Sequence, residues 1–147
     1  MVAKNTDNPA PVTRPLPSLN EPDTADFWQA TKNQCFRYQQ CDSCNTVVWH
    51  PRAHCTGCTD GKLEWRESAG LGEVYTFSVV RQSYHPFFRN KVPYAVVYVD
   101  LEEGPRLLTN MVGVDDPQAD VKIGMRVKLN WEVHAELSIP LVEPLQD

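Results

Sequence analysis

Four cysteines in two matched pairs are the residues whose type and spacing define the clearest chemistry in this chain. Each pair follows the pattern Cys-x-x-Cys, and ten residues separate the two pairs. Two thiolates spaced in this way in a tight turn can face one ion, and two such turns form the tetrahedral cage that suits zinc. The predicted zinc ligands are Cys41, Cys44, Cys55 and Cys58. Two disulfides, or four unrelated thiols, are the alternatives, and the matched spacing argues against both.

A closed set of four thiolates leaves no coordination position for water or substrate, so the predicted zinc is structural rather than catalytic. Roughly 35 residues around it bury too little apolar surface to fold without the metal. Within this ribbon, Val47, Val48 and Trp49 predict a strand that Pro51 ends. The fifth cysteine, Cys35, is interpreted as a thiol without a functional role.

The composition of the chain argues against several classes of function. The 147 residues, 41% of them hydrophobic, suffice for a sizeable core. A net charge of −5 provides no general attraction for nucleic acid or for anionic membranes. No apolar run is long enough for a membrane span, and the start of the chain has no signal-peptide pattern. Together with cysteines in metal spacing, these features predict a cytoplasmic protein.

The sequence predicts two segments before residue 69. Residues 1–22 contain five prolines and few apolar side chains, which is typical of a disordered or extended arm. Residues 23–68 are predicted to hold a short helix followed by the zinc ribbon. That helix is predicted over residues 25–31, with Asp23 or Thr24 as its N-cap.

The remainder of the chain, residues 69–147, is predicted to be a small β-barrel. Apolar, β-branched and aromatic residues predict five short strands, over residues 73–81, 94–101, 106–112, 126–134 and 137–142. Pro140 interrupts the last of these and therefore predicts an edge strand, while residues 115–117 predict a loop. Five is the number of strands in an OB-fold. The predicted fold is mainly β: a short N-terminal helix, a zinc ribbon and a five-stranded OB-fold barrel.

A series of short motifs follows in a fixed order along the chain. They lie at residues 26–28, 36–44, 51–52, 55–58, 70–77, 84–87, 92–94, 100–106 and 123–127. Over most of residues 23–134 the chain thereby resembles the family once labelled domain of unknown function 35. In that family a rubredoxin-like zinc ribbon precedes an OB-fold. One departure is Gln34, where the family commonly has glycine before the first ribbon strand.

The resemblance implies an accessory role in acyl-CoA metabolism. Members of the family form complexes with thiolases, with thiolase-like aldolases that shorten steroid side chains, or with related condensing enzymes. The partner then carries the catalytic residue, while the zinc ribbon and OB-fold support assembly and the wall of the CoA channel. The implied cofactor is a structural Zn²⁺, the implied ligand of the complex is a CoA thioester, and the implied pathway is lipid, steroid or aromatic degradation. Because thiolases are dimers, a heterotetramer of the α2β2 type is the simplest symmetric assembly.

A loop of twelve residues, 82–93, joins the first two predicted barrel strands and is long for such a connection. Its aromatic content is typical of an interface rather than of disorder. The residues predicted to contact the partner or the substrate channel are Tyr84, His85, Pro86, Phe87 and Phe88. The alternative is a loop folded back as a lid over the open end of the barrel. Phe27 and Trp28 of the helix either pack against the neighbouring module or face a second protein.

Three basic side chains beside this loop are candidate contacts for the phosphates of CoA: Arg81, Arg89 and Lys91. The alternative interpretation is that they are solvated surface charges. His85 has the chemistry of a general acid or base, but no second catalytic group in the sequence is visibly coupled to it. A packing role or a backbone hydrogen bond is the alternative for His85.

Three functions follow from these observations, and they belong to different classes. The first is a non-catalytic subunit that completes a thiolase-superfamily enzyme, which the resemblance favours. The second is a module for single-stranded nucleic acid, which has the stacking aromatics but lacks a basic track. The third is an independent acyl-CoA enzyme, for which the sequence offers no recognisable set of nucleophile and base.

Overall fold

The computed structural model describes residues 11–146, so the first proline of the predicted arm, Pro9, lies outside the described residues. Within this range the chain forms eight strands and three short helices. The helices are α1 (Ala25–Thr31), α2 (Pro86–Arg89) and α3 (Pro117–Asp120). The strands are β1 (Arg37–Cys41), β2 (Val47–Val48), β3 (Leu63–Glu67), β4 (Leu71–Val80), β5 (Tyr94–Leu101), β6 (Arg106–Asn110), β7 (Arg126–Val133) and β8 (Ser138–Pro144). None of the three helices is long and apolar enough to cross a membrane.

Strands β1 to β3 form the small antiparallel sheet of the ribbon, in the order β2-β1-β3. A buried polar side chain fastens it: the Gln39 Oε1 accepts the Arg52 backbone N–H at 2.7 Å, and the Gln39 Nε2 donates to the Arg52 carbonyl at 3.0 Å. The predicted strand over 47–49 was one residue too long, because β2 ends at Val48. Trp49 instead packs against the common core of the molecule.

Strands β4 to β8 form the predicted five-stranded OB-fold, an antiparallel sheet in the order β6-β5-β4-β7-β8 that curls into a nearly closed barrel. An irregularity between Val74 and Thr76 interrupts the register of β4, and such bulges bend a strand. The two ends of the sheet meet where Met111 bridges Val142. β8 is the last strand in the order, as its proline predicted.

One hydrophobic core joins the helix, the ribbon and the barrel. Phe27 of α1 lies between Phe36 and Trp49, with ring centroids 5.2 and 5.0 Å away. These rings belong to the same core as the barrel residues Val97 and Val127, whose side chains are fully buried. Because Phe27 is only 3% exposed, it packs within the protein and is not available to a partner.

Helix α1 is anchored by its last residue and not by a side-chain cap. Thr24, one of the two predicted candidates, is the N-cap residue, but its side chain makes no hydrogen bond to the helix. At the other end, the Thr31 hydroxyl donates to the Trp28 carbonyl at 2.7 Å and accepts the Ser138 N–H at 3.2 Å. The buried hydroxyl therefore ties the helix to β8, and this contact depends on the barrel rather than on helix propensity.

Two of the predicted loops contain a helical turn. α3 follows residue Asp116, whose carboxylate accepts the N–H groups of Gln118 and Ala119. α2 lies within the loop 82–93, and His85 provides its cap. Both turns begin with Asp or His followed by proline, and proline suits the first position of a helix because it has no N–H to leave unpaired.

Candidate functional site

The four predicted metal ligands lie together at one end of the ribbon sheet. Their sulfur atoms are all within 4.8 Å of one another, and the Cys41–Cys58 and Cys44–Cys55 pairs are each 3.6 Å apart. A tetrahedron with Zn–S bonds of about 2.3 Å has edges of roughly 3.8 Å, whereas a disulfide requires about 2.05 Å. The thiols are free and their spacing fits a metal, so the alternative of two disulfides is excluded.

Glycines allow the two knuckles to approach each other. The N–H groups of Gly57 and Gly61 each donate to a ligand sulfur at 3.3 Å, to Cys55 and Cys58 respectively. A Cβ built on Gly61 would overlap the Cys41 sulfur. The sequence pattern named the ligands but not this packing, since the overlap depends on how the turn folds over β1.

Hydrogen bonds favour the thiolate form of two ligands. The Thr46 hydroxyl lies 3.0 Å from the Cys44 sulfur, and this bond, with the Thr46 N–H, lowers the pKa of Cys44 to about 6. The backbone N–H groups of Cys58 and Gly57 likewise lower the pKa of Cys55. The N–H of Cys44 acts to lower the pKa of Cys41, but burial and the neighbouring thiols raise it to about 11. A bound zinc ion would hold all four as thiolates and would act by fixing the fold.

The aromatic loop packs against the start of β5 through Phe88 but leaves the side chains of Tyr84 and His85 exposed to solvent. Tyr84 is 81% exposed. Phe88 is half-buried. Its ring centroid lies 4.9 Å from that of Phe87 and 5.8 Å from that of Tyr94 in β5. The His85 Nδ1 accepts the Phe87 N–H at 3.2 Å. A backbone hydrogen bond was the alternative to a catalytic role for His85, and this contact agrees with that alternative. The loop thus presents Tyr84 outward on a scaffold made by its neighbours.

The three candidate phosphate contacts are exposed, and each already has a partner within the chain. The Arg81 side chain donates to the Gln118 side chain. Arg89 donates to the Tyr84 carbonyl at 3.0 Å, and the Lys91 ammonium lies 4.2 Å from the Phe87 ring centroid. Their role towards phosphate stays a prediction.

Two cavities lie near this loop and the junction of ribbon and barrel. The first, of about 310 Å³, is lined by the loop residue Phe88 together with Tyr94 and Met111. The second, of about 330 Å³, lies among α1, the turn after β2 and the strands β5, β6 and β8. Arg14, which the sequence did not single out, lines both. An extended segment has no periodicity to show what it touches, so no sequence signal could have identified Arg14.

Within residues 11–146, no hydroxyl or thiol is hydrogen-bonded to a histidine. The His85 Nδ1 serves as a helix cap, and the His134 Nε2 is 2.8 Å from a Glu132 carboxylate oxygen. The arrangement of nucleophile, base and orienting group that covalent catalysis uses is therefore not formed by the described residues.

Two family models match successive parts of the chain. The model described as the rubredoxin-like zinc ribbon domain of ChsH2 matches residues 28–64, and the model of the ChsH2 C-terminal OB-fold domain matches residues 65–132. The two matches meet at residues 64 and 65, within β3 of the ribbon sheet, and the ribbon model includes all four cysteines. The class of protein defined by fold and site is thus a structural zinc ribbon joined to an OB-fold.

Similar proteins identify the family. A DUF35 domain-containing scaffold protein of Methanocaldococcus jannaschii is 36% identical over 104 residues, which are 69% of this chain and 71% of that protein. A chain of the solved structure called Ltp2-ChsH2(DUF35) aldolase is 36% identical with a TM-score of 0.76, over 89% of this chain and 98% of that chain. The chain belongs to the DUF35 family.

A longer relative places the same segment in a larger protein. The probable enoyl-CoA hydratase alpha subunit of Thermomonospora curvata is 36% identical over 144 residues, which are 96% of this chain. The match covers 43% of the length of that relative, so the chain spans less than half of it.

Proposed function

We propose that this chain is an accessory, non-catalytic subunit of a thiolase-superfamily enzyme that acts on carbon–carbon bonds of acyl-CoA substrates. The observation that carries the proposal is the match to nearly the whole of a chain in the Ltp2-ChsH2(DUF35) aldolase. The name of that structure joins a DUF35 component to a second component in one aldolase. A thiolase-like catalytic subunit is the partner that the family resemblance implies for this chain.

The site supports an accessory role rather than independent catalysis. The metal cluster is a closed set of four sulfurs, which offers structure and no open coordination position. The loop residue Tyr84 is a large ring in solvent, and such rings are typical anchors at protein interfaces. The loop 82–93 would approach the substrate entrance of the partner.

The proposed ligand of the assembled enzyme is a CoA thioester. The name of the Thermomonospora curvata relative, an enoyl-CoA hydratase subunit, supports this substrate class. Arg81 precedes the loop 82–93, whereas Arg89 and Lys91 lie within it. All three are exposed and would contact phosphate when the complex forms. The proposed assembly holds two copies of this chain on a dimeric partner, because thiolases are dimers.

The same relative favours a second candidate function, in which the partner is a hydratase for enoyl-CoA. The fold of this chain would suit either a thiolase-like partner or a hydratase partner, since its proposed contribution is assembly rather than chemistry. A nucleic-acid module is disfavoured by the net charge of −5 and by basic side chains that are engaged within the chain.

Reconstitution tests the proposed function. A tagged chain is expressed in its native host, the co-purifying protein is identified, and the two are then expressed together. The complex and the isolated chain are assayed with β-hydroxyacyl-CoA, β-ketoacyl-CoA and enoyl-CoA substrates. Turnover of β-hydroxyacyl- or β-ketoacyl-CoA only in the presence of a thiolase-like partner is expected. Robust turnover by the isolated chain, abolished in a His85→Ala variant, would support the independent enzyme instead.

A further inference from the structure

The segment before α1 lies against the barrel and is fixed to it at two places. Residues 11–20, called the strap below, form no helix or strand. Leu19 nevertheless packs against a buried cluster around β8 that consists of Leu137, Ile139 and Leu141. Arg14 reaches the other contact, on β7 and the aromatic loop. An extended segment without backbone pairing keeps its place only through such side-chain contacts.

Arg14 is held between a carboxylate and an aromatic ring. Its Nη1 donates to the Glu132 Oε2 at 3.0 Å, and its guanidinium carbon lies 5.2 Å from the Phe88 ring centroid. The other carboxylate oxygen of Glu132 is 2.8 Å from the His134 Nε2, which fixes the orientation of the carboxylate. One guanidinium thus bridges the loop helix α2 and strand β7.

This arginine is more shielded than the other basic side chains in ion pairs of the described residues. The Arg14 side chain is 15% exposed, whereas the arginines and the lysine in the other pairs are 41% or more exposed. Exposed ion pairs contribute little because water and salt screen them, and shielding from water strengthens both the ion pair and the cation–π contact. Among the arginine and lysine ion pairs of the described residues, the Arg14–Glu132 pair is therefore the one least screened by water.

The loop that Arg14 touches has few other attachments. No residue of α2 is buried, and a cavity of about 310 Å³ lies beside Phe88. Arg14 lines this cavity and also the cavity of about 330 Å³ among α1, β6 and β8, so its side chain borders both. Loss of the Arg14 contacts would leave the loop attached mainly through the packing of Phe88 on Tyr94.

We propose that residues 11–20 act as an intramolecular strap and that Arg14 is the positioning residue that holds the loop 82–93 against the barrel. The strap limits the conformations of the loop before any partner binds. If the loop is the partner contact, as the proposed function has it, this order reduces the entropy lost on association. The strap itself does not depend on the proposed function, because all of its contacts lie within the chain.

Hydrogen exchange of the full-length chain tests the strap. The relevant amides are those of Phe88, Arg89 and Lys91, which donate within and just after α2. In an Arg14→Ala variant these amides are expected to exchange roughly five- to thirtyfold faster, the range that corresponds to loss of one cation–π contact partly shielded from water. Thr13→Ala, an exposed neighbour in the strap, is the matched control and should exchange like the parent.

A second variant tests the Arg14–Glu132 ion pair from the barrel side. Glu132→Gln keeps the shape of the side chain and removes its charge, so it should also speed exchange in the loop. The effects of Arg14→Ala and Glu132→Gln should not add, because both remove one pair. Non-additive acceleration confined to the loop supports the strap, whereas additive effects contradict the shared pair.

Three results would overturn the proposal. Loop exchange in Arg14→Ala that matches the parent would show that the strap does not hold the loop. Equal acceleration in Thr13→Ala would remove the specific role of Arg14. Acceleration that extends to ribbon amides such as Cys41 would show a general loss of stability instead. Because the isolated chain is used throughout, failure here leaves the partner assay of the proposed function unaffected.

Discussion

Gly61 shows how closely the second zinc knuckle packs on the first. A Cβ at this position would overlap the Cys41 sulfur and would lie 3.1 Å from the Cys58 sulfur. The Cys41 sulfur would have to leave the position that fits a metal, and the Cys58 contact would be tighter than an ordinary van der Waals contact. Gly61→Ala is therefore expected to reduce bound zinc below one ion per chain and to lower the Tm, as measured by elemental analysis and thermal denaturation. The control is Ser43→Ala, an exposed change next to a ligand, and parent-like zinc content in Gly61→Ala would contradict the packing argument.

Variants at Tyr84 and Phe88 distinguish two roles of the loop side chains, namely contact with a partner and support of the loop itself. Tyr84 is 81% exposed, so Tyr84→Ala should leave the Tm unchanged and weaken partner binding by roughly thirtyfold if it is a hot spot. Phe88 packs against Phe87, Tyr94 and Arg14, so Phe88→Ala should lower both the Tm and the affinity. Calorimetric titration with the partner and thermal denaturation measure the two effects. Parent-like affinity in both variants would move the interface away from the loop.

Single residues were predicted well where spacing alone decides their role. The four cysteines were assigned as metal ligands from the Cys-x-x-Cys spacing, which lets two sulfurs in a tight turn face one ion. The structure confirms that the four sulfurs converge. Phe27 could not be assigned between core and surface, because its surroundings come from Phe36 and Trp49, at a distance in the chain. Arg14 was missed for the same reason, since Glu132 lies 118 positions away.

At the scale of elements, the contact between β6 and β8 closes the barrel. The Thr109 side chain is buried, and its hydroxyl donates to the Pro140 carbonyl at 2.5 Å. Thr109→Val keeps the shape but leaves that carbonyl with one partner fewer, at a cost of about 1–3 kcal/mol. The Tm should fall by roughly 3–9 °C. Thr76→Val is the control, since its hydroxyl makes no side-chain hydrogen bond within residues 11–146, and an equal fall in both variants would show that closure does not depend on Thr109.

The strands were predictable because their signal is local. Alternating apolar residues placed β5 at its observed bounds and the other barrel strands within a few residues. Pro140 correctly predicted the edge strand. The turns α2 and α3 were not predicted, because a helix of four residues is too short to show a 3.6-residue period.

At the scale of the whole molecule, the ribbon and the barrel share one core. Phe36 immediately precedes the first ribbon strand, Phe27 belongs to α1, and both pack in the cluster that includes Val97 and Val127 of the barrel. Sequence patterns predicted two modules but contain no information on their contact, since each pattern is satisfied within its own segment. The shared core implies that the zinc site supports the barrel as well as the ribbon.

Removal of the metal tests this coupling. A chelator that strips zinc, or a Cys44→Ala variant that loses a ligand, should unfold the knuckles, because the unfolded ribbon has no preformed cage. Phe36 and Trp49 would then lose their fixed positions against Phe27, and the barrel would lose part of its core. We expect one cooperative transition at a lower Tm, seen alike by far-ultraviolet circular dichroism and by tryptophan fluorescence. Cys35→Ala, which removes a thiol outside the cluster, should keep both zinc and Tm. Two separate transitions, with the upper one unchanged by the chelator, would show that the barrel folds independently of the metal.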